Sequence, residues 1–255
     1  MNGYGLYVWS AFCFTLISFA TLYYVIKSQL VKEQLKFKNK FSNLVIDKAD
    51  KVNPMFLLKR GKWYKEEKIE LMHGLNVSKI DTKTKTLALD ANESLGYDKL
   101  ILATGAIPRV LPGSEGISNV FVLRQPDDAV SIRNAARSAK SVIIIGGGYI
   151  GLEVAASLRQ MGLSVSVVEV ADRLLARGAS PPVASALSNL HNQHGVSLFK
   201  GIGVKKLTQE NRFFTGVELS NGSTLSGEML VVGIGVVPGS DLAFQAGIET
   251  EHSNG

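Results

Sequence analysis

The sequence has a single cysteine, Cys13. No disulfide can form within one chain, and with no C-x-x-C a dithiol relay is excluded as well. Charged side chains are missing altogether from residues 1–26. Internal repeats and low-complexity tracts are missing too. The four histidines offer no metal-ligand set. His191 and His194 stand at i and i+3 without a third ligand, and solvent-facing histidines at a helix end account for them, so no metal site is expected. No serine has the glycine context of a nucleophile elbow. The net charge of +6 is uneven: residues 27–70 hold 12 Lys/Arg against 6 Asp/Glu, and residues 71–255 balance at 16 against 16. A nucleic-acid-binding protein would carry its basic surface on the folded part, so no nucleic-acid partner is expected. Basic residues directly after an apolar run instead suit the edge of a lipid bilayer.

The apolar run is Tyr4–Ile26, 23 residues without a charge. At about 1.5 Å per residue such a helix crosses a hydrocarbon core of about 30 Å. Tyr4, Tyr7 and Trp9 stand near one end and Tyr23 and Tyr24 near the other, as interfacial aromatics do. Lys27, Lys32, Lys36, Lys38 and Lys40 follow, which places the C-terminal side in the cytoplasm and the short N-terminus outside. A cleaved signal peptide fits less well, because the run lacks a basic leader and an A-x-A-like site. A buried core helix is the other alternative.

The densest signal lies further on, in Ile143–Ala156. Three isoleucines read as a buried strand, Gly146-Gly147-Gly148 as a turn, and Tyr149 onward as a helix. Gly146, Gly148 and Gly151 have the G-x-G-x-x-G spacing, and a second strand, Val165–Val168, ends at Glu169. That acid falls about 20 residues past the turn, where a ribose hydroxyl needs an acceptor. Gly146 allows the tight turn, Gly148 lets a pyrophosphate approach the backbone, and Gly151 lets helix and strand pack closely. The helix N-terminus offers N–H donors and partial positive charge to phosphate. Glu169 would repel a 2′-phosphate, which favours NAD(H) over NADP(H), or else the adenosine ribose of FAD. The alternative is a strand–helix turn of the same shape that binds nothing.

Around this unit the pattern predicts a short helix at Trp63–Glu67 and a strand at Ile69–Met72. It predicts a hairpin of Val77–Asp81 with Thr86–Asp90 and a buried strand over Lys99–Ala103. Helices are expected at Asp127–Ala139, with an acidic first turn, and from Pro181 to His194, and a loop at Asp172–Leu175. Strands are expected at Val196–Phe199, Val204–Leu207, Phe213–Leu219, Thr224–Leu225 and Met229–Val232. Alternating strands and helices about a glycine fingerprint give a Rossmann-type α/β layer carrying a small antiparallel excursion.

Two resemblances add to this reading. Met1–Phe12, with its Tyr7-Val8-Trp9 core, then one apolar helix and a lysine-rich tail, resembles haem exporter protein D of bacterial cytochrome c maturation. The likeness covers residues 1 to about 40. It implies haem transport for cytochrome c-type biogenesis, beside ABC-type haem exporter subunits in the inner membrane.

The stretch from Met55 resembles the pyridine-nucleotide flavoprotein reductases, and among them the ferredoxin and rubredoxin reductases of bacterial oxygenase systems. Four blocks carry it: Tyr97–Gly105; Phe121–Arg124 with Asp127-Asp128-Ala129; the fingerprint with Gly151–Ala156; and Val232–Pro238. The resemblance implies that Gly146, Gly148, Ile150 and Gly151 hold the NAD pyrophosphate and Glu169 the adenosine ribose. Catalytic Glu153 would approach the nicotinamide carboxamide, which Gly233, Ile234 and Gly235 line. Val77, Ala103, Thr104, Gly105 and Arg124 match positions near FAD. The implied chemistry is hydride transfer from NADH to flavin, then electrons to an iron–sulfur acceptor.

The chain lacks the second G-x-G-x-x-G with which that family binds FAD pyrophosphate, which weighs against stable FAD binding. The expected organisation is a transmembrane helix with a basic tail (1–41), a partial FAD-binding domain (42–113), an NAD-binding Rossmann domain (114–246) and a truncated return to the FAD domain (247–255). This reads as a fusion of a haem-exporter subunit with an interior reductase fragment. The function expected is a membrane-tethered NADH-binding oxidoreductase at the cytoplasmic face of the bacterial inner membrane. The alternative is an exporter accessory subunit with an inert reductase tail.

Overall fold

The computed structural model describes residues 61–90 and 93–250, all of them within one compact unit. The expected transmembrane segment and its basic tail lie outside the described residues, as does most of 247–255. Among the described residues no helix is long and apolar enough to cross a membrane.

The centre is a five-stranded parallel sheet. Its strands are β5 (Val120–Val122), β6 (Ser141–Ile145), β7 (Ser164–Glu169), β8 (Val196–Lys200) and β12 (Met229–Val232), in the spatial order β5-β12-β6-β7-β8. Helix α2 (Pro126–Ala136) joins β5 to β6, α3 (Tyr149–Gln160) joins β6 to β7, and α4 (Pro181–Gln193) joins β7 to β8. The chain leaves a slot between β5 and β6 that β12 fills late, pairing with both. Strands buried on both faces need apolar residues without alternation. Met229–Val232 and Val142–Ile145 meet that requirement, with every residue buried.

The two faces take different cover. Val142, Ile144, Val165, Val167, Met229 and Val231 pack under helices α2 and α3 against Ile132, Val154, Ala155 and Leu158. The intervening residues Ile143, Ile145, Val168, Leu230 and Val232 point the other way, onto Phe214, Val217 and Leu219. Those three belong to a three-stranded antiparallel sheet of β9 (Val204–Glu210), β10 (Phe213–Leu219) and β11 (Thr224–Ser226). The expected excursion is therefore the lid of the second core face. Each such side chain contributes about 1.5–3 kcal/mol by its burial.

A second, smaller piece begins with helix α1 (Gly61–Glu66) and a sheet of β1 (Val77–Asp81), β2 (Thr86–Leu89) and β3 (Ser94–Gly96). Its small core, Ile80, Leu87 and Leu89, is closed by Leu242 and Ala246 at helix α5 (Asp241–Gln245). Two short strands, β4 (Ala106–Pro108) and β13 (Val236–Pro238), pair antiparallel where the chain enters and leaves the parallel-sheet region.

Two expected strands are absent. Ile69–Met72 is irregular and exposed. Lys99–Ala103 is irregular as well, with Ile101 90% exposed. A buried parallel strand exists only by virtue of its neighbours, and among the described residues none pairs with 99–103.

The junction of the two sheets is clipped by Asn119. Its Nδ2 donates to the carbonyls of Phe214 (2.9 Å) and Glu228 (2.6 Å), and its Oδ1 accepts from the Phe214 N–H (2.6 Å). Asn119→Ala should therefore cost about 2–3 kcal/mol, read as a shifted midpoint in urea at unchanged slope. A loss below about 0.5 kcal/mol would show that water replaces these bonds without cost.

Candidate functional site

The fingerprint turn lies at the C-terminal ends of the parallel strands, where open α/β sheets bind their ligands. Gly146 has φ +109° and donates to the Val168 carbonyl at 2.8 Å. A Cβ there would stand 2.4 Å from the Gly233 carbonyl oxygen, and a Cβ at Gly151 would stand 2.0 Å from that of Gly146. These two glycines are dictated by the protein's own packing. Gly148 is different: a Cβ would meet nothing within 4 Å. It is the N-cap of α3 in extended conformation, and no side chain caps that helix. Open space over uncapped N–H donors is what an anionic pyrophosphate requires.

Glu169 is held tightly. Its Oε2 accepts the Gly147 N–H at 2.6 Å and its Oε1 the Ala171 N–H at 2.8 Å. The carboxylate fixes the turn from the end of β7, and each oxygen keeps a lone pair for a ribose hydroxyl. The sequence-predicted residues Gly233, Ile234 and Gly235 follow β12 and come to the same place. Gly233 donates to the Ile145 carbonyl at 2.7 Å, and Gly235, φ +105°, accepts from the Arg109 N–H at 2.9 Å. Ile150 is 43% exposed at the start of α3. Half-buried Glu153 lies two residues past Gly151, and burial raises its carboxyl above the ordinary value of 4.5. The fingerprint, Glu169 and Gly233 are thus brought together.

The residues near the expected FAD position are assembled in part. Thr104 Oγ1 donates to the Gly239 carbonyl, and the Gly239 N–H donates to Gly105 at 2.9 Å. Arg124 Nε donates to the Ala106 carbonyl at 3.1 Å. Ala103, Thr104, Gly105 and Arg124 thereby adjoin β4 and β13, whereas Val77 packs in the separate core of β1. Among the described residues they offer one wall of a site.

The loop after β7 is where the sequence places it, at Asp172–Leu175, but sequence reasoning missed its contact with the fingerprint. The Leu175 N–H donates to the Gly147 carbonyl at 2.9 Å, and the side chain of buried Leu174 lies against Gly147. Arg173 binds the loop from within, donating to the carbonyls of Leu175, Ala176 and Ala179. Those donors are occupied, so Arg173 is no ready partner for a 2′-phosphate. Tyr149 spans from α3 to the loop, its hydroxyl donating to the Gly178 carbonyl at 2.6 Å. The Gly147-Gly148 doublet and Gly178 were the only hints. Leu175, at φ +51°, gave none. His191 also departs from expectation: it is 8% exposed, not solvent-facing. Among the described residues no group of His, Cys, Asp or Glu could hold a metal ion.

Comparison with known proteins agrees with this geometry. The family model described as pyridine nucleotide-disulphide oxidoreductase matches residues 20–255. Rhodocoxin reductase of Rhodococcus erythropolis is 36% identical over 196 residues, 76% of this chain and 46% of the relative. The ferredoxin–NAD(+) reductase component of the p-cumate 2,3-dioxygenase system of Pseudomonas putida is 37% identical over 176 residues, 69% of this chain and 43% of the relative. The crystal structure of the ferredoxin reductase for the CYP199A2 system from Rhodopseudomonas palustris superposes with a TM-score of 0.75 at 33% identity, covering 82% of this chain and 52% of that one. The chain spans about half the length of the relatives it matches. None of these three is a haem exporter, and the family match begins inside the apolar run, so the likeness of residues 1–40 to haem exporter protein D rests on sequence alone.

Two predictions separate packing from binding. Gly148→Ala should leave the melting temperature within about 2 °C and weaken NADH binding more than about tenfold, whereas Gly151→Ala should cost about 1–3 kcal/mol of stability. Equal NADH affinity in Gly148→Ala by calorimetry would place the pyrophosphate elsewhere. Glu153 has its own signature. A carboxyl raised by burial favours the fold while protonated, and that contribution is lost as pH rises through the folded-state value. Glu153→Gln should therefore melt above the wild type at neutral pH, with the difference vanishing below about pH 4.

Proposed function

The chain belongs to the pyridine nucleotide-disulphide oxidoreductase family, and from that premise we propose that it is an NADH-binding oxidoreductase of the ferredoxin-reductase type. Members of this family use FAD and NAD(H). The observation that carries the reading is the pairing of Gly148, open on its ligand side, with Glu169 at the end of β7. The first receives a pyrophosphate; the second receives ribose hydroxyls and rejects a 2′-phosphate. NADH is therefore the nucleotide, and Gly233–Gly235 lines its nicotinamide end beside the fingerprint.

Ala103, Thr104, Gly105 and Arg124 would line one side of FAD, which when bound would supply two-electron acceptance from NADH and one-electron delivery to an iron–sulfur acceptor. The protein's own part is positional. The helix α3 N-terminus orients the phosphates, Glu169 the ribose, and half-buried Glu153 offers a hydrogen bond to the carboxamide. A ferredoxin is the proposed acceptor, by analogy with the relatives' names. The uncharged run Tyr4–Ile26 and the lysines after it support attachment to the bacterial inner membrane with the globular part in the cytoplasm.

The test is the visible spectrum of the detergent-purified full-length protein. Flavin bands that bleach on adding NADH, with ferricyanide reduction on turnover, are expected. A colourless protein that oxidises no NADH with added FAD and ferricyanide would sink the oxidoreductase reading.

A further inference from the structure

His191 is a buried ionisable side chain that the proposed chemistry does not use. It projects from the last turn of α4, with Nδ1 2.9 Å from the Leu187 carbonyl in its own helix and Nε2 3.1 Å from the Leu152 carbonyl. Leu152 is in the first turn of α3, directly after Gly151. Either nitrogen can be the donor, according to the tautomer; a hydrogen on Nε2 ties the two helices together. The same carbonyl already accepts within its own helix, so this bond is additional and is not required to close the α-helix.

A second grip lies beside the first. The Leu152 side chain packs with Leu174, Leu175 and Leu187 in one small cluster. Leu187 is the residue one turn before His191 on α4, and Leu174 and Leu175 contact Gly147 through a side chain and an N–H. Helix α4 therefore holds the fingerprint at two points, directly through the start of α3 and indirectly through the loop.

We propose that His191 is a positioning residue for the dinucleotide cradle, holding the first turn of α3 so that its free N–H groups meet the pyrophosphate. The proposal rests on the reading that this unit binds NADH. Helix displacement translates directly into affinity here, because the donors are backbone groups that no side-chain rotation can re-aim.

Calorimetric titration of NADH into the full-length protein tests it with two variants. His191→Leu keeps the apolar burial and removes the donor; His191→Gln keeps an amide donor. The leucine variant should bind NADH about fivefold more weakly, and the glutamine variant within about twofold of wild type, while both melt at similar temperatures. Wild-type affinity in His191→Leu would overturn the proposal. So would equal weakening in both variants, since packing would then be the cause. Should the leucine variant fail to fold, amide hydrogen exchange of the wild type decides. Coupling is reciprocal, so NADH must slow exchange in 187–193 of α4 as well as in α3. Unchanged exchange in α4 overturns the proposal. A wild-type protein that binds no NADH defeats the functional reading itself, and the positioning role with it.

Discussion

Three backbones meet at the end of the central strands: the turn at Gly146, the start of α3 at Gly151 and the exit of β12 at Gly233. A side chain at Gly146 or Gly151 would lie 2.4 Å or less from a carbonyl oxygen of another segment. This closeness is what lets α3 start directly above β6, and that start is what aims its uncapped N–H groups into open space. The contact with Gly233 also brings the last strand's exit loop, 233–235, into the same cradle. A single added methyl would separate the strand, the helix and the loop that together make the proposed nucleotide site.

The remaining structure supports that contact from two sides. Apolar residues alternate along β6, β7 and β12, sending one set under the helices and the other onto the antiparallel sheet β9–β11. This double cover makes the strands rigid where the turn leaves them. On the far side, Glu169 and the loop carrying Leu174 and Leu175 hold Gly147 through one carboxylate, one N–H and one buried side chain. The site is built on fixed backbone, which suits the proposed orienting of a dinucleotide.

The piece toward the expected flavin position has a different character. Segment 99–105 carries the apolar residues of a buried strand but, Leu100 apart, is exposed, and Thr104 and Gly105 are tied to Gly239. A pattern of consecutive apolar residues specifies that a strand should be covered on both faces. It does not supply the neighbours. The expectation for 99–103 went astray for that reason, and the one for Ile69–Met72 likewise.

The sequence by itself determined the Rossmann layer, the fingerprint and its terminal acid, and most helix and strand positions in 77–232. These follow from local causes: glycine spacing, strand alternation, and helix-start acids such as Asp127 and Asp128. Tertiary structure alone decided the rest. It divided the three motif glycines into two required by packing, Gly146 and Gly151, and one, Gly148, with open space beside it. It made Glu169, expected as a ribose acceptor, a clamp on the turn, moved His191 from solvent into an interhelical bond, and placed the Leu174-Leu175 loop against Gly147. Each of these depends on what lies across a gap between segments far apart in the chain, and no period or spacing within a segment records that.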